Sequence, residues 1–152
     1  MSRQAAPDSR WRDPHLHLLL AATAVVGLGL WVLLPPGYAR PIVADHWHLL
    51  AVLLLYPVVE EWLFRGLLQG ELLRRPRFRE RHLGVTRANL LTSAVFASLH
   101  LVHQPPLWAL SILVPSLALG HFRERYGNLR WPIALHILFN GVYILAGLAP
   151  TG

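Results

Sequence analysis

Cysteine and lysine are both absent from this 152-residue chain. Without cysteine there are no disulfides, no thiolate nucleophile and no cysteine-ligated metal. Without lysine, all 14 basic side chains are arginines, which by itself says nothing about partners. Charged residues of either sign are scarce, at 14% of the chain, where an ordinary soluble domain carries roughly 25%. A soluble domain of this length would need more charge to cover its surface. The deficit points to a chain that does not meet water on every side.

What fills the gap is apolar, with 54% of residues hydrophobic. They gather in blocks rather than alternating with polar faces, and a bilayer crossing needs about 20 largely apolar residues. Five blocks stand out, at residues 16–34, 48–68, 88–102, 106–122 and 131–148. The third is the shortest and has to borrow Thr86 and Arg87 from its flank. Backbone polar groups in hydrocarbon must be satisfied within the segment, so the blocks are read as helices. Trp47 and Trp131 sit at block edges, where an amphipathic ring favours the headgroup region. Pro57 and Pro115 fall inside blocks and are expected to kink them. The expected fold is all-α and integral to a membrane: one domain over residues 1–152, a single bundle of about five transmembrane helices.

The net charge of +6 and the isoelectric point near 11 do not imply nucleic acid, because the arginines cluster between the apolar blocks. Counted from the N-terminus, the flanking segments carry 3 (Arg3, Arg10, Arg12), 1 (Arg40), 6 (Arg74, Arg75, Arg77, Arg79, Arg81, Arg87), 0, 3 (Arg123, Arg125, Arg130) and 0 arginines. This alternation fits five crossings with the N-terminus cytoplasmic and the C-terminus outside. The first block is long for a signal peptide, and Pro35-Pro36-Gly37-Tyr38-Ala39 offers no clear cleavage site, so it is read as a retained span.

Three stretches put polar side chains within these blocks: Glu60-Glu61-Trp62-Leu63-Phe64-Arg65, Phe96-Ala97-Ser98-Leu99-His100 and His136-Ile137-Leu138-Phe139-Asn140. An ionisable residue mid-span costs at least ~2.5–3.5 kcal/mol, which marks function by default. Glu61 and Arg65 are one turn apart and pair structurally, whereas α-helical geometry puts Glu60 about 140° from Arg65, facing elsewhere. His136 and Asn140 form one polar stripe. Counted from the cytoplasmic helix ends, Glu60 and Asn140 lie ~15 Å deep, His100 ~18 Å and His136 ~9 Å. A carboxylate and an imidazole can polarise one water, with Glu60 as general base and His100 orienting it. His136 and Asn140 can donate to the oxyanion of a tetrahedral intermediate, so the implied target is an amide.

The run E-E-x-x-x-R, F-x-x-x-H, H-x-x-x-N on successive spans resembles the CAAX-protease and bacteriocin-processing family of intramembrane glutamic endopeptidases. The matching positions are Glu60, Glu61, Arg65, Phe96, His100, His136 and Asn140. The resemblance implies water activation by Glu60 and His100 and an oxyanion site at His136 and Asn140. Glu61, Arg65 and Phe96 then support the site. It implies a membrane-anchored protein or peptide as substrate. No cofactor is expected, and no metal, because the depth count sets His136 apart from Glu60 and His100 and Arg65 would repel a divalent cation. The compact form and the stretch from Leu107 to Gly127 look like a bacterial subgroup acting on C-terminal membrane-anchored sorting signals, which would place the chain in a bacterial inner membrane.

Other readings of the same residues stand beside this one. Intramembrane Glu, Arg and His also mark proton relays, so a proton-coupled transporter or channel subunit is an alternative, although no inverted repeat is visible. An inactive scaffold that binds a partner is a second. His100 and His103, with Glu60, have the residue types of a zinc site, but no H-E-x-x-H run accompanies them, and His103 reads as an interfacial residue. Trp62 faces either substrate or lipid. Oligomeric state leaves no trace in the sequence.

Overall fold

The computed structural model describes residues 11–33 and 40–148. Arg3, Arg10, the end of the first block at Leu34 and the Pro35-Pro36 pair lie outside the described residues. The described chain is mostly helical. In order the elements are α1 (Pro14–Leu33), α2 (Arg40–Ala44), α3 (His46–Arg74), α4 (Pro76–Arg79), β1 (Arg81–His82), β2 (Val85–Thr86), α5 (Arg87–His100), α6 (Pro106–Ser111), α7 (Leu113–Tyr126) and α8 (Arg130–Gly147). Among the described residues α1 and α3 are long and apolar enough to cross a membrane. At 1.5 Å per residue, the 14-residue α5 and α7 reach only ~21 Å, short of a hydrocarbon core of ~30 Å.

Each apolar block becomes helix, with local departures that trace to proline. The fourth block, expected as one helix, divides into α6 and α7 at Ile112. Pro115 has no N–H to give the Ser111 carbonyl one turn back, so the ladder breaks there. In α3, Pro57 follows a π turn at Ala51–Leu55, and a second π turn spans Trp62–Leu68. The third block begins where its polar flank suggests: the Thr86 side chain caps α5 by accepting from the Asn89 N–H at 3.0 Å.

The chain divides into two compact units, Met1–Pro57 with His136–Gly152, and Val58–Leu135. In the first, α1 has a single buried residue, Leu16, and carries exposed Leu18, Val25, Val26, Leu28 and Leu33 around its circumference. A helix apolar all round and unburied by protein is what lipid accommodates. It meets α8 where Gly27 lies against Val142.

The second unit is held by polar groups. Glu61, Arg65 and Gln69 form a buried stripe at four-residue spacing on α3. Opposite them on α7 stand Ser116, Gly120 and Glu124, also four apart. Arg65 is fully buried, pairs through Nε with Glu61 Oε2 at 3.3 Å, and donates from Nη2 to Ser116 O at 2.9 Å and Ser116 Oγ at 2.7 Å. One turn on, Gln69 Nε2 donates to Gly120 O at 3.1 Å and Glu124 Oε1 at 2.9 Å. Glu124 also accepts from Thr86 Oγ1 at 2.5 Å and from Arg81 Nη2 at 3.0 Å, which ties the start of α5 and the β1–β2 hairpin to α7. Asn89 of α5 donates to Leu117 O at 2.9 Å and accepts from Ser93 Oγ at 3.1 Å. Where lipid is as apolar as any side chain, hydrogen bonds and close backbone approach take over the packing role that burial plays in water.

Gly120 is where that approach is tightest, because a Cβ there would collide with the Asn89 amide. Gly120→Ala is expected to cost about 1–3 kcal/mol through overpacking. Gly29→Ala, with nothing within 4 Å of the added Cβ, is expected to be neutral or slightly stabilising. Thermal unfolding of the two variants in the same detergent separates them; equal midpoints would contradict the packing described. Glu61→Gln leaves the buried Arg65 charge without its carboxylate and is expected to cost about 3–5 kcal/mol. Glu61→Leu with Arg65→Met, which removes both charges, is expected to recover part of that loss. The same unfolding assay reads it, and an unshifted Glu61→Gln midpoint counts against the pair.

Candidate active site

Phe96 of α5 is the packing centre around which the ionisable residues of the second unit are arranged. It is buried, lies 5.0 Å from the Phe64 centroid at an edge-on 85°, and has the Arg65 guanidinium carbon 5.0 Å from its ring centroid. It also lies against the His100 ring, at 4.8 Å between centroids and tilted by 51°. The Arg65 guanidinium over the electron-rich face of Phe96 is a favourable cation–π arrangement.

α3 and α5 run antiparallel. The start of α5, at Thr86, shares Glu124 with Gln69, and further along α5 Phe96 meets Phe64 and Arg65, which precede Gln69 on α3. Glu60 is four residues before Phe64, and His100 is four residues after Phe96. Because the helices are opposed, both displacements carry the residue about 6 Å the same way along the bundle. Glu60 and His100 therefore both lie one turn beyond the Phe64–Phe96 contact. Glu60 is half-buried, whereas its neighbour Glu61 is completely buried against Arg65.

The angle between Glu60 and Arg65 needs correction. The 140° estimate assumed a regular α-helix, but Trp62–Leu68 runs as a π turn whose hydrogen bonds join residues five apart. Five residues around this wider turn fall closer to one face than α geometry gives.

His100 is fixed in tautomer as well as position. Its Nδ1 lies 2.9 Å from the Phe96 carbonyl oxygen, which can only accept, so Nδ1 carries the proton. In the neutral ring Nε2 is then the acceptor, available to a water or hydroxyl proton.

His136 and Asn140 belong to the first unit and lie one turn apart on α8. His136 is buried; Asn140 is half-buried and donates from Nδ2 to Val52 O, in the first π turn of α3, at 2.8 Å. His103 is exposed beyond the end of α5, and Trp62 is exposed on α3. Among the described residues no three or more His, Asp or Glu converge as a set of metal ligands. A cavity of about 290 Å³ lined by Gly66, Leu67, Gly70, Glu71, Arg74 and Arg123 shares no residue with the Glu60–His100 region.

Ser116, Gln69, Asn89 and Glu124, which brace the second unit, and Val52, which anchors Asn140, escaped the reading of the sequence. The matched four-residue spacings Glu61/Arg65/Gln69 and Ser116/Gly120/Glu124 were the available signal.

Comparison with curated proteins and with solved structures gives no match. The family profile described as type II CAAX prenyl endopeptidase, Rce1-like, matches residues 42–142, about two thirds of the chain. That span contains every residue of the three polar motifs. The chain belongs to the Rce1-like CAAX prenyl endopeptidases, a family of integral-membrane glutamic proteases whose activity is CAAX-type intramembrane proteolysis.

Proposed function

We propose that this chain hydrolyses a peptide bond in a membrane-anchored or membrane-proximal protein segment through a water activated by Glu60 and His100. The observation that carries the reading is the Nδ1–Phe96 bond, which leaves His100 Nε2 as an acceptor one turn beyond the Phe64–Phe96 contact, as Glu60 is. Glu60 takes the water proton as oxygen attacks the carbonyl carbon. His100 orients that water, and the proton held by Glu60 passes to the leaving amine. His136 and Asn140 donate to the developing oxyanion, where fixed donors in an apolar setting count most. Glu61 and Arg65 neutralise each other and keep their charges out of the chemistry. Phe96, which touches both, aligns Arg65 and His100.

The membrane arrangement that accompanies this reading is a single domain of about five spans. α1 and α3 cross in full, and the shorter α5, α6–α7 and α8 complete the bundle, with the N-terminus cytoplasmic in a bacterial inner membrane. The arginine series supports it, as does the lipid-ready surface of α1.

Glu60→Gln in the purified protein is expected to abolish cleavage of a peptide bearing a prenylated cysteine near its C-terminus, with the unfolding midpoint unchanged. The amide cannot take a proton, and losing general-base catalysis alone costs about 10²–10⁴-fold. Cleavage within threefold of the parent protein counts against the mechanism. The natural lack of cysteine makes topology directly readable. Single cysteines at Arg77 and Leu148 are expected to react with an impermeant maleimide from opposite sides of the membrane, and labelling from one side excludes the odd number of crossings between them.

A further inference from the structure

Val52 lies in a stretch of α3 where its carbonyl has lost both of its usual donors. In an α-helix the carbonyl of Val52 would accept from Tyr56 N–H. Here that N–H is committed to Ala51 O, the bond that closes the π turn. In π register the donor would be residue 57, but that residue is proline and has no N–H. An unmet carbonyl is costly in an apolar environment. The donor comes instead from Asn140 Nδ2, at 2.8 Å. Because a carbonyl oxygen only accepts, this contact also fixes which end of the Asn140 amide faces Val52, and the nitrogen retains a second N–H.

We infer that Pro57 is a positioning residue for the reaction. By withholding a backbone donor, it makes the Val52 carbonyl the acceptor that fixes the Asn140 amide. One N–H of Asn140 is held by Val52, and the other is presented to the oxyanion. The inference rests on the oxyanion role assigned to Asn140 above and adds what holds that side chain in its working orientation. The proline is a deliberate gap in the helix ladder, filled by a side chain of the site.

The test uses the full-length protein in detergent or proteoliposomes and the prenylated peptide. Pro57→Ala returns an N–H to the helix, so the Val52 carbonyl no longer needs Asn140. The expected result is a kcat lower by about tenfold with KM within about twofold, which marks loss of an interaction made in the transition state. The unfolding midpoint is expected to hold or rise, since a helix-interior proline has been removed. Asn140→Ala is expected to lower both kcat and the midpoint, the latter by about 2–4 °C for one lost hydrogen bond. Adding Pro57→Ala to Asn140→Ala is expected to restore the midpoint without a further loss of kcat, because the two residues act as one device.

A kcat for Pro57→Ala equal to the parent's overturns the inference. So does a kcat loss in parallel with a falling midpoint, or a multiplicative loss in the double variant. If Pro57→Ala does not accumulate, Asn140→Ala alone decides: an unchanged midpoint means that Asn140 braces nothing. Cleavage that persists in Glu60→Gln condemns the protease mechanism instead, and the midpoint series still reports on whether Pro57 and Asn140 are coupled.

Discussion

An arginine buried to zero exposure in a largely apolar bundle needs an opposite charge and hydrogen-bond acceptors, and most of the second unit can be understood as supplying them to Arg65, through an ion pair at Nε and two acceptors at Nη2. Glu61 supplies the opposite charge from one turn back, and Ser116 supplies two oxygens from α7. The ring of Phe96 covers the guanidinium from α5. Three helices are thereby referred to one cation. Once Arg65 is seated, Gln69 reaches Gly120 and Glu124 on the next turn, and Phe96 is held where it can carry His100. The pair Glu61–Arg65 does no chemistry in this account, yet the register of every group that does within this unit depends on it.

Irregular turns in α3 serve the same end. In a regular helix every internal carbonyl already has a backbone donor, so a neighbour's side chain can only add a second bond to it. The π turn before Pro57 leaves one without a backbone donor, at Val52, and the π turn after Glu61 swings Glu60 and Arg65, five apart, closer to one face. Membrane helices tolerate such turns only when the freed groups find other partners. Here the partners are polar side chains on other helices, so local loss of helical order is exchanged for tertiary specificity.

The polar motifs and the helical blocks were legible in the sequence because both are local signals. Apolar runs mark helices, and an i to i+4 spacing is enough to bring Glu61 to Arg65. The brace on α7 was not legible for a physical reason. Arg65 and Ser116 are 51 positions apart, as are Gln69 and Gly120, and a serine or glycine in an apolar helix resembles ordinary close packing. The anchor of Asn140 was harder still, since it is a main-chain oxygen of a valine, 88 positions away. Nor did α-helical arithmetic foresee the π turns; it marked Pro57 and Pro115 as kinks but could not say that one would become a π turn and the other a break at Ile112.

The ladder between α3 and α7, with its extension to α5, pairs side chains with backbone as often as with other side chains. Arg65, Gln69 and Asn89 reach the carbonyls of Ser116, Gly120 and Leu117. A carbonyl is the same whichever residue carries it, so where only the backbone accepts, as at Gly120 and Leu117, the position is constrained in size rather than in chemistry. Among relatives that keep this bundle, Gln69 and Asn89 would be preserved without those positions changing in step with them. Methods that infer contacts from paired substitutions would see the side-chain pairs Arg65–Ser116 and Gln69–Glu124 and would be blind to the three bonds to backbone that run beside them.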